Sequence, residues 1–446
     1  MDTVKIQSLE DEQCVKVGIT DLDGVLRGKY MSGKKFKSAL KGGASFCDVV
    51  LGWDREDTVI DGLELTGWHT GFPDAPIELA SETFRSLPLE NDTPFCLGTF
   101  AGKYKEFCPR SILQSVCQKA ELAGFSAYTG MEYEFTLLRE TPHSVRDKNY
   151  SKLEPIAPGS DSYSILRTSV ESDLYQQIFS ASQQMGIPLE GLHEETGAGF
   201  MEVAITASNA VETADRGILF KNLMKTIAQK NGLLATFMAK WTMDGQGQSG
   251  HIHISLNDKD GANIFYDDSE AHGISKKMRH FIAGQQKLLP EFLALMAPTV
   301  NSFKRLRPDF WAPTWGSWGI DNRTVALRVI TGSAKSQRIE YRIPGADSNP
   351  YLAMAAALAS GLWGIENEIE PSPISSGNAY DQKAPEELKL PTSLYEAAER
   401  FETSEVANQY FGANFVAHYA RTRKFEAEQF LKNVTDWELA RYLETS

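Results

Sequence analysis

Charged and imidazole side chains recur at every second position in several short stretches of this chain, and that spacing restricts the backbone that can carry them. The stretches include Glu132-Tyr-Glu134, His251-Ile-His253-Ile-Ser255, Arg305-Leu-Arg307 and Arg338-Ile-Glu340-Tyr-Arg342. Residues i and i+2 of a β-strand point to one face, whereas on a helix they splay apart. On strands, Met131, Tyr133 and Phe135 enter a core while Glu132 and Glu134 face a cavity. Ile252 and Ile254 do the same for His251 and His253. Glu194 with Glu202, and Arg323 with Arg328, add further charges of both signs. The pattern predicts a polar cavity lined from strands, which is costly to bury unless ions or substrates neutralise it.

The chain has 446 residues, 42% of them hydrophobic and 10% aromatic, the profile of a globular protein of two or three domains. Its formal net charge of −14 argues against broad binding to nucleic acid or to an anionic membrane. A local arginine cluster still permits an anionic small substrate. The five cysteines, Cys14, Cys47, Cys96, Cys108 and Cys117, are odd in number and form no CxxC pair. A disulfide framework is therefore not expected, and a reducing, cytoplasmic location is. The opening Met-Asp-Thr-Val-Lys-Ile carries no signal-peptide pattern, and the longest apolar stretch, 351–365, is too short to span a bilayer.

Residues 1–100 read as short strands broken by turns, with Asp23-Gly24 as a hairpin signal, and predict a small mixed domain. Longer units follow. Pro109 opens a helix whose Leu113, Val116, Cys117 and Ala120 share a face. Helices are expected near 171–186, 209–231 and 275–297, after Asp347-Ser-Asn-Pro350, and over 412–443, with a surface loop at 370–392. Gly245-Gln-Gly247-Gln-Ser-Gly250 has the letters of a dinucleotide-binding turn. That turn must open a helix, and here it opens a strand pattern, so an oxidoreductase is rejected.

Glu132, Glu134, Glu194, Glu202 and Glu340 offer hard oxygen donors suited to Mg²⁺ or Mn²⁺, and an imidazole among them is tolerated better by Mn²⁺. Five carboxylates carry −5 and two dications +4, so two divalent cations per site nearly neutralise the set. One of His251 and His253 can ligate a metal and the other bind a phosphate or substrate oxygen. Arg305, Arg323, Arg328, Arg338 and Arg342 can grip carboxylate or phosphate with paired donors. Two metals and several arginines are the equipment of phosphoryl transfer from a nucleotide.

Five stretches resemble the glutamine synthetase family, in the family's order and over nearly the whole chain. They are Gly130-Met-Glu-Tyr-Glu-Phe135, His193-Glu-Glu-Thr-Gly-Ala-Gly-Phe-Met-Glu202, Gly247-Gln-Ser-Gly-His-Ile-His-Ile-Ser255, Asn301-Ser-Phe-Lys-Arg-Leu306 and Arg338-Ile-Glu-Tyr-Arg-Ile-Pro344. The resemblance implies an α+β protein with an N-terminal β-grasp domain over 1–100 and a glutamine-synthetase-type catalytic α/β domain over 101–446. It implies a bifunnel active site between subunits of a homo-oligomer, of the stacked-ring, dodecamer type.

Carried over residue by residue, Glu134, Glu194 and Glu202 hold the first metal, and Glu132, His251 and Glu340 the second. Gly247, Arg305 and Arg342 hold glutamate. Arg323, Arg328, Arg338, His253 and Ser255 serve ATP and the transferred phosphoryl group, with Arg323 and Glu194 among the catalytic residues. Asp21 reaches the neighbouring subunit's site and deprotonates the amine, and Tyr163 and Trp311 line the amine pocket. Trp311 stands where the family carries a flap Glu that helps bind ammonium.

The expectation is an ATP-dependent ligase joining the γ-carboxylate of glutamate to a small organic amine through a γ-glutamyl phosphate. A true glutamine synthetase using ammonia is the alternative, and a non-catalytic, metal-bound assembly protein on the same fold is the second. Tyr380 lies where some bacterial members carry an adenylylated tyrosine.

Overall fold

The structure is a computed structural model and describes residues 6, 8–160, 162–308 and 310–446. Most of the opening Met-Asp-Thr-Val-Lys-Ile segment, and Asp309, lie outside the described residues.

The N-terminal part forms a five-stranded sheet from β1 (Cys14–Thr20), β2 (Leu26–Ser32), β3 (Ala44–Cys47), β4 (Asp74–Leu87) and β5 (Thr93–Phe100), in the order β2-β1-β5-β4-β3. β1 and β2 are the hairpin signalled by Asp23-Gly24, and β5 returns parallel to β1. Gly24 has φ +73°, and a Cβ there would lie 3.1 Å from the Cα of Asn349, so the turn needs glycine twice over. Between β2 and β3 runs a helix, Gly33–Gly42, capped by the Ser32 hydroxyl, which the strand-like reading of 1–100 missed. It buries only Gly33, Phe36 and Ala39, too few apolar positions to stand out from the neighbouring strand patterns.

The second sheet joins β6 (Ser126–Leu138), β7 (Leu189–Glu194), β8 (Phe200–Asn209), β9 (Leu234–Thr236), β10 (Gly250–Asn257), β11 (Trp318–Ile320), β12 (Leu327–Ile330) and β13 (Arg338–Tyr341). Its order is β11-β12-β13-β10-β6-β8-β7, with β9 also paired to β6. The expected helices are present as Pro109–Leu122, Ser172–Gln184, Ala210–Lys230, Lys276–Met296 and Pro350–Glu366. Asn209, Ser275 and Asn349 cap the last three through side-chain oxygens. The tail is two helices, Ala413–Leu431 and Asp436–Tyr442.

Helices Pro109–Leu122 and Ala210–Lys230 pack on β6, the latter also on β8, and cover one face of the second sheet. There Met131, Tyr133, Phe135, Ile252, Ile254, Ile339 and Tyr341 are buried, as the alternation required. Helix Pro350–Glu366 is buried almost all round and lies against Lys276–Met296. A Cβ on Gly284 would sit 2.1 Å from the Ser360 carbonyl, so the close crossing depends on that glycine.

One apolar core runs through both sheets. The Asp21–Gly24 turn is seated on the second part of the chain. Asn349 donates to the carbonyls of Asp21 and Leu22 (3.1 and 3.2 Å), and Arg423 pairs with Asp23 at 2.7 Å. All five cysteines are free, and among the described residues no helix is long and apolar enough to cross a membrane.

Candidate active site

The open face of the second sheet carries the charges in cross-strand register. Glu202 on β8 lies opposite Glu134 on β6, and Glu132 on β6 opposite His251 on β10. His253 on β10 lies opposite Glu340 on β13, which in turn lies opposite Arg328 on β12. Directly opposed residues share a face and touch. Two chambers open from this row and meet at Glu132. One, of about 390 Å³, is lined by Glu132, Glu134, Glu195, Glu202, His251, Glu340, Tyr163, Trp311, Arg323, Arg328, Arg342 and Gly247, among others. The other, of about 300 Å³, is lined by Glu132, Glu190, His253, Ser255, Lys335 and Arg338, among others.

The first chamber corrects the placement of Glu194. On β7, His193 pairs with Glu202 and faces the cavity, whereas Glu194 pairs with buried Met201 on the opposite face. Glu194 is buried there, its charge raising the pKa of the Tyr175 hydroxyl after burial itself. Glu195 turns back into the cavity. His193 Nε2 lies 2.9 Å from Glu195 and 3.5 Å from Glu202, and the Tyr163 ring stacks on the imidazole at 4.8 Å with its hydroxyl 3.4 Å from Glu195. His193-Glu-Glu195 shares the i, i+2 spacing of the other charged pairs, but Glu194 stands beside it, and the pairing of β7 with β8 decides between the two glutamates.

Arg305 departs from expectation too. It ends a short helix, Ser302–Arg305, instead of riding a strand, and it is fully buried beneath the cavity. Its guanidinium donates to the Ile343 and Arg342 carbonyls and the Ser249 hydroxyl at 2.8–2.9 Å. Burial pulls its pKa down to about 10. A Cβ on Gly247 would lie 2.4 Å from Arg305 Cγ, which explains a glycine at that point of the loop. Asp21 lies outside both chambers of its own chain. Its carboxylate accepts from the Asp23 and Val25 amides and from Arg27 Nε at 2.9 Å. Burial, helped by Asp23, pushes its pKa up to about 6.

The remaining residues are brought together. His253 lies 3.0 Å from Glu132, and Arg338 Nε donates to its Nδ1 at 3.1 Å. His251 Nδ1 is 3.4 Å from Glu340 and 3.6 Å from Glu132. Arg328 pairs with Glu340 at 2.8 Å, and Arg342 pairs with its other oxygen. Burial opposes ionisation of Glu132 and Glu340, but the imidazoles hold Glu132 well below the usual carboxylate range. Arg342 and the imidazoles bring Glu340 to about 2.

Glu202 shifts the other way. Burial, then the charges of Glu132, Glu134, Glu195 and Glu340, push it up to about 10. Carboxylates crowded closely enough to raise Glu202, beside a buried His251 Nε2 with no hydrogen-bond partner among the described residues, form a donor set suited to cations. Among the described residues three groups could hold an ion: Glu132/His253/Glu340, Glu132/Glu202/His251 and His193/Glu195/Glu202. Mn²⁺ or Mg²⁺ is therefore expected to raise the melting temperature of protein stripped with EDTA, since a ligand at a hundred times its Kd adds about 2.7 kcal/mol. No shift with either ion would remove the cation assignment.

Comparison with known proteins agrees with this geometry. The family model of the glutamine synthetase catalytic domain matches residues 106–442. Type-1 glutamine synthetase 2 of Dictyostelium discoideum is 46% identical over 437 residues, covering 96% of this chain and 83% of its own. A glutamate–isopropylamine ligase of a Pseudomonas species is 38% identical, covering 96% of this chain and 95% of its own. The gamma-glutamylethanolamide synthetase GlnA4 of Streptomyces coelicolor is 37% identical, covering 97% of this chain and 93% of its own. The solved complex of GmaS with ADP superposes with a TM-score of 0.85 at 25% identity, covering 99% of both chains. With the charged row, the two chambers and these matches in hand, the chain belongs to the glutamine synthetase family of ATP-dependent carbon–nitrogen ligases.

Proposed function

We propose that this protein joins the γ-carboxylate of glutamate to a small organic amine. The observation that carries the reading is the lining of the larger chamber, which combines the aromatic rings of Trp311, Phe310 and Tyr163 with the carboxylate of Glu195. Ammonium is small and strongly hydrated and needs oxygens all round it. An alkylammonium needs one charged end and one apolar end, and this wall offers both. The names of the isopropylamine and ethanolamide relatives support the same class.

In the reaction, a γ-carboxylate oxygen of glutamate attacks the γ-phosphorus of ATP and ADP leaves. The acyl phosphate so formed is attacked at carbon by the neutral amine, and phosphate leaves. Arg342 and Arg323 line the chamber where the carboxylate and the transferred phosphoryl group meet. His253, Ser255 and Arg338 line the neighbouring chamber, proposed for ATP. Glu134, Glu195 and Glu202 are proposed for one divalent cation, and Glu132, His251 and Glu340 for the other. When bound, these ions offset the negative charge that develops on the phosphoryl oxygens. A phosphate-release assay with ammonia, methylamine, ethylamine and isopropylamine tests the reading. A higher kcat/KM for ammonia than for every amine would replace it with that of a glutamine synthetase.

The N-terminal sheet, with β5 parallel to β1 and a helix after the first hairpin, supports a β-grasp domain ending near residue 100. Asp21 is proposed as the base that serves a neighbouring subunit, since its own chain keeps it out of the cavity and a carboxyl near pH 6 suits proton transfer at neutral pH. Co-assembly of Asp21→Ala with Glu202→Ala is then expected to restore part of the activity that each lacks alone. If both assemble and mixing restores none, the shared site is wrong.

A further inference from the structure

The charged row does not explain how residues 310–316, which have little regular structure and put Phe310 and Trp311 on the wall of the larger chamber, are held in place. Trp311 has φ +54°, a left-handed backbone that a tryptophan keeps only where its surroundings fix it. Two side chains grip the carbonyls next to that strained point. Arg342 Nη2 donates to the Trp311 carbonyl at 3.4 Å, and the Tyr380 hydroxyl donates to the Ala312 carbonyl at 3.1 Å. Arg342 is committed to Glu340 as well, and its contact is long. Tyr380 makes the shorter contact.

Tyr380 also stands on a firm mount. Its turn, Ala379–Asp381, is tied down by other groups. Trp315 Nε1 donates to the Ala379 carbonyl at 3.2 Å, Asn322 to the Gly377 carbonyl at 2.8 Å, and the Ala379 amide to the Thr324 hydroxyl at 2.9 Å. None of these bonds uses the Tyr380 hydroxyl. Removing that one oxygen should therefore release the peptide after Trp311 while leaving the turn in place.

We propose that Tyr380 is a positioning residue for the amine acceptor: its hydroxyl holds the Trp311–Ala312 peptide so that the indole stays on the chamber wall. This rests on the reading of Trp311 as part of the amine pocket. Tyr380→Phe is expected to raise the KM for ethylamine about fivefold, the effect of losing one net hydrogen bond. The KM for ATP should not change. Limited chymotrypsin cleavage after Phe310 or Trp311, in protein without substrates, should accelerate by a similar factor, because nicking follows the population of the opened segment. Unchanged KM and unchanged nicking would overturn the proposal. So would faster nicking with no change in amine KM, or a parallel rise in the KM for ATP, which marks a purely structural role. If the wild type prefers ammonia, the amine reading fails, but the nicking rates still decide whether Tyr380 holds the segment.

Discussion

Glu195→Gln is expected to lower kcat/KM at least about a hundredfold, whereas Glu194→Gln should change it only a few-fold and lower the melting temperature instead. Losing the partner of a metal ligand already costs about 10- to 100-fold in affinity or activity, and losing a ligand costs more. Glu195 lines the chamber, touches His193 and lies within reach of Glu202 around one candidate ion. Glu194 is one residue away in sequence and on the other face of the sheet, paired with Met201. Titration of Mn²⁺ into each variant separates the cases further. Weakened binding in Glu195→Gln alone supports the assignment. A loss of Mn²⁺ affinity in Glu194→Gln, with Glu195→Gln active, would return the ligand to Glu194.

Trp311→Glu should shift the acceptor preference toward ammonia by roughly a hundredfold. The two carbons of ethylamine, a methylene and a methyl, contribute about 0.8 kcal/mol each when buried against the indole. An ammonium head near the ring adds about 0.5–2 kcal/mol. The sum, about 2.1–3.6 kcal/mol, corresponds to roughly 35- to 440-fold. Trp311 is half exposed at the mouth of the chamber, so the substitution disturbs little of the core. The quantity to compare is the ratio of kcat/KM for ethylamine to that for ammonia, at saturating ATP and glutamate, in wild type and variant. An unchanged ratio would make Trp311 a packing residue of the segment and no more.

How far the sequence reveals this site depends on parity. Where charged and apolar residues alternate along one strand, as in Glu132–Phe135, His251–Ser255 and Arg338–Arg342, facing could be read directly and the strands β6, β10 and β13 follow it. Glu194 went astray because two glutamates stand side by side, and only the pairing of β7 with β8 decides which one turns inward. Arg305 went astray because spacing alone does not distinguish a strand from the end of a short helix. Tyr163 is brought to the cavity by stacking on His193, a contact across 30 positions that no local pattern contains. Burial of Arg305 and the tie from Tyr380 to Ala312 are likewise long-range facts. Helix Gly33–Gly42 escaped because so few of its positions are apolar.

The cross-strand register of the charged row also bears on how the chain avoids misfolding. A slip of β10 by one residue would turn His251 and His253 into the apolar layer and push Ile252 and Ile254 into the cavity. Because β10 is flanked on both sides, by β6 and β13, such a slip would leave buried imidazoles and carboxylates unpaired along two seams at once. The residues that make the candidate site costly to bury thereby reject wrong strand pairings, so the charged row doubles as a proofreader of its own sheet.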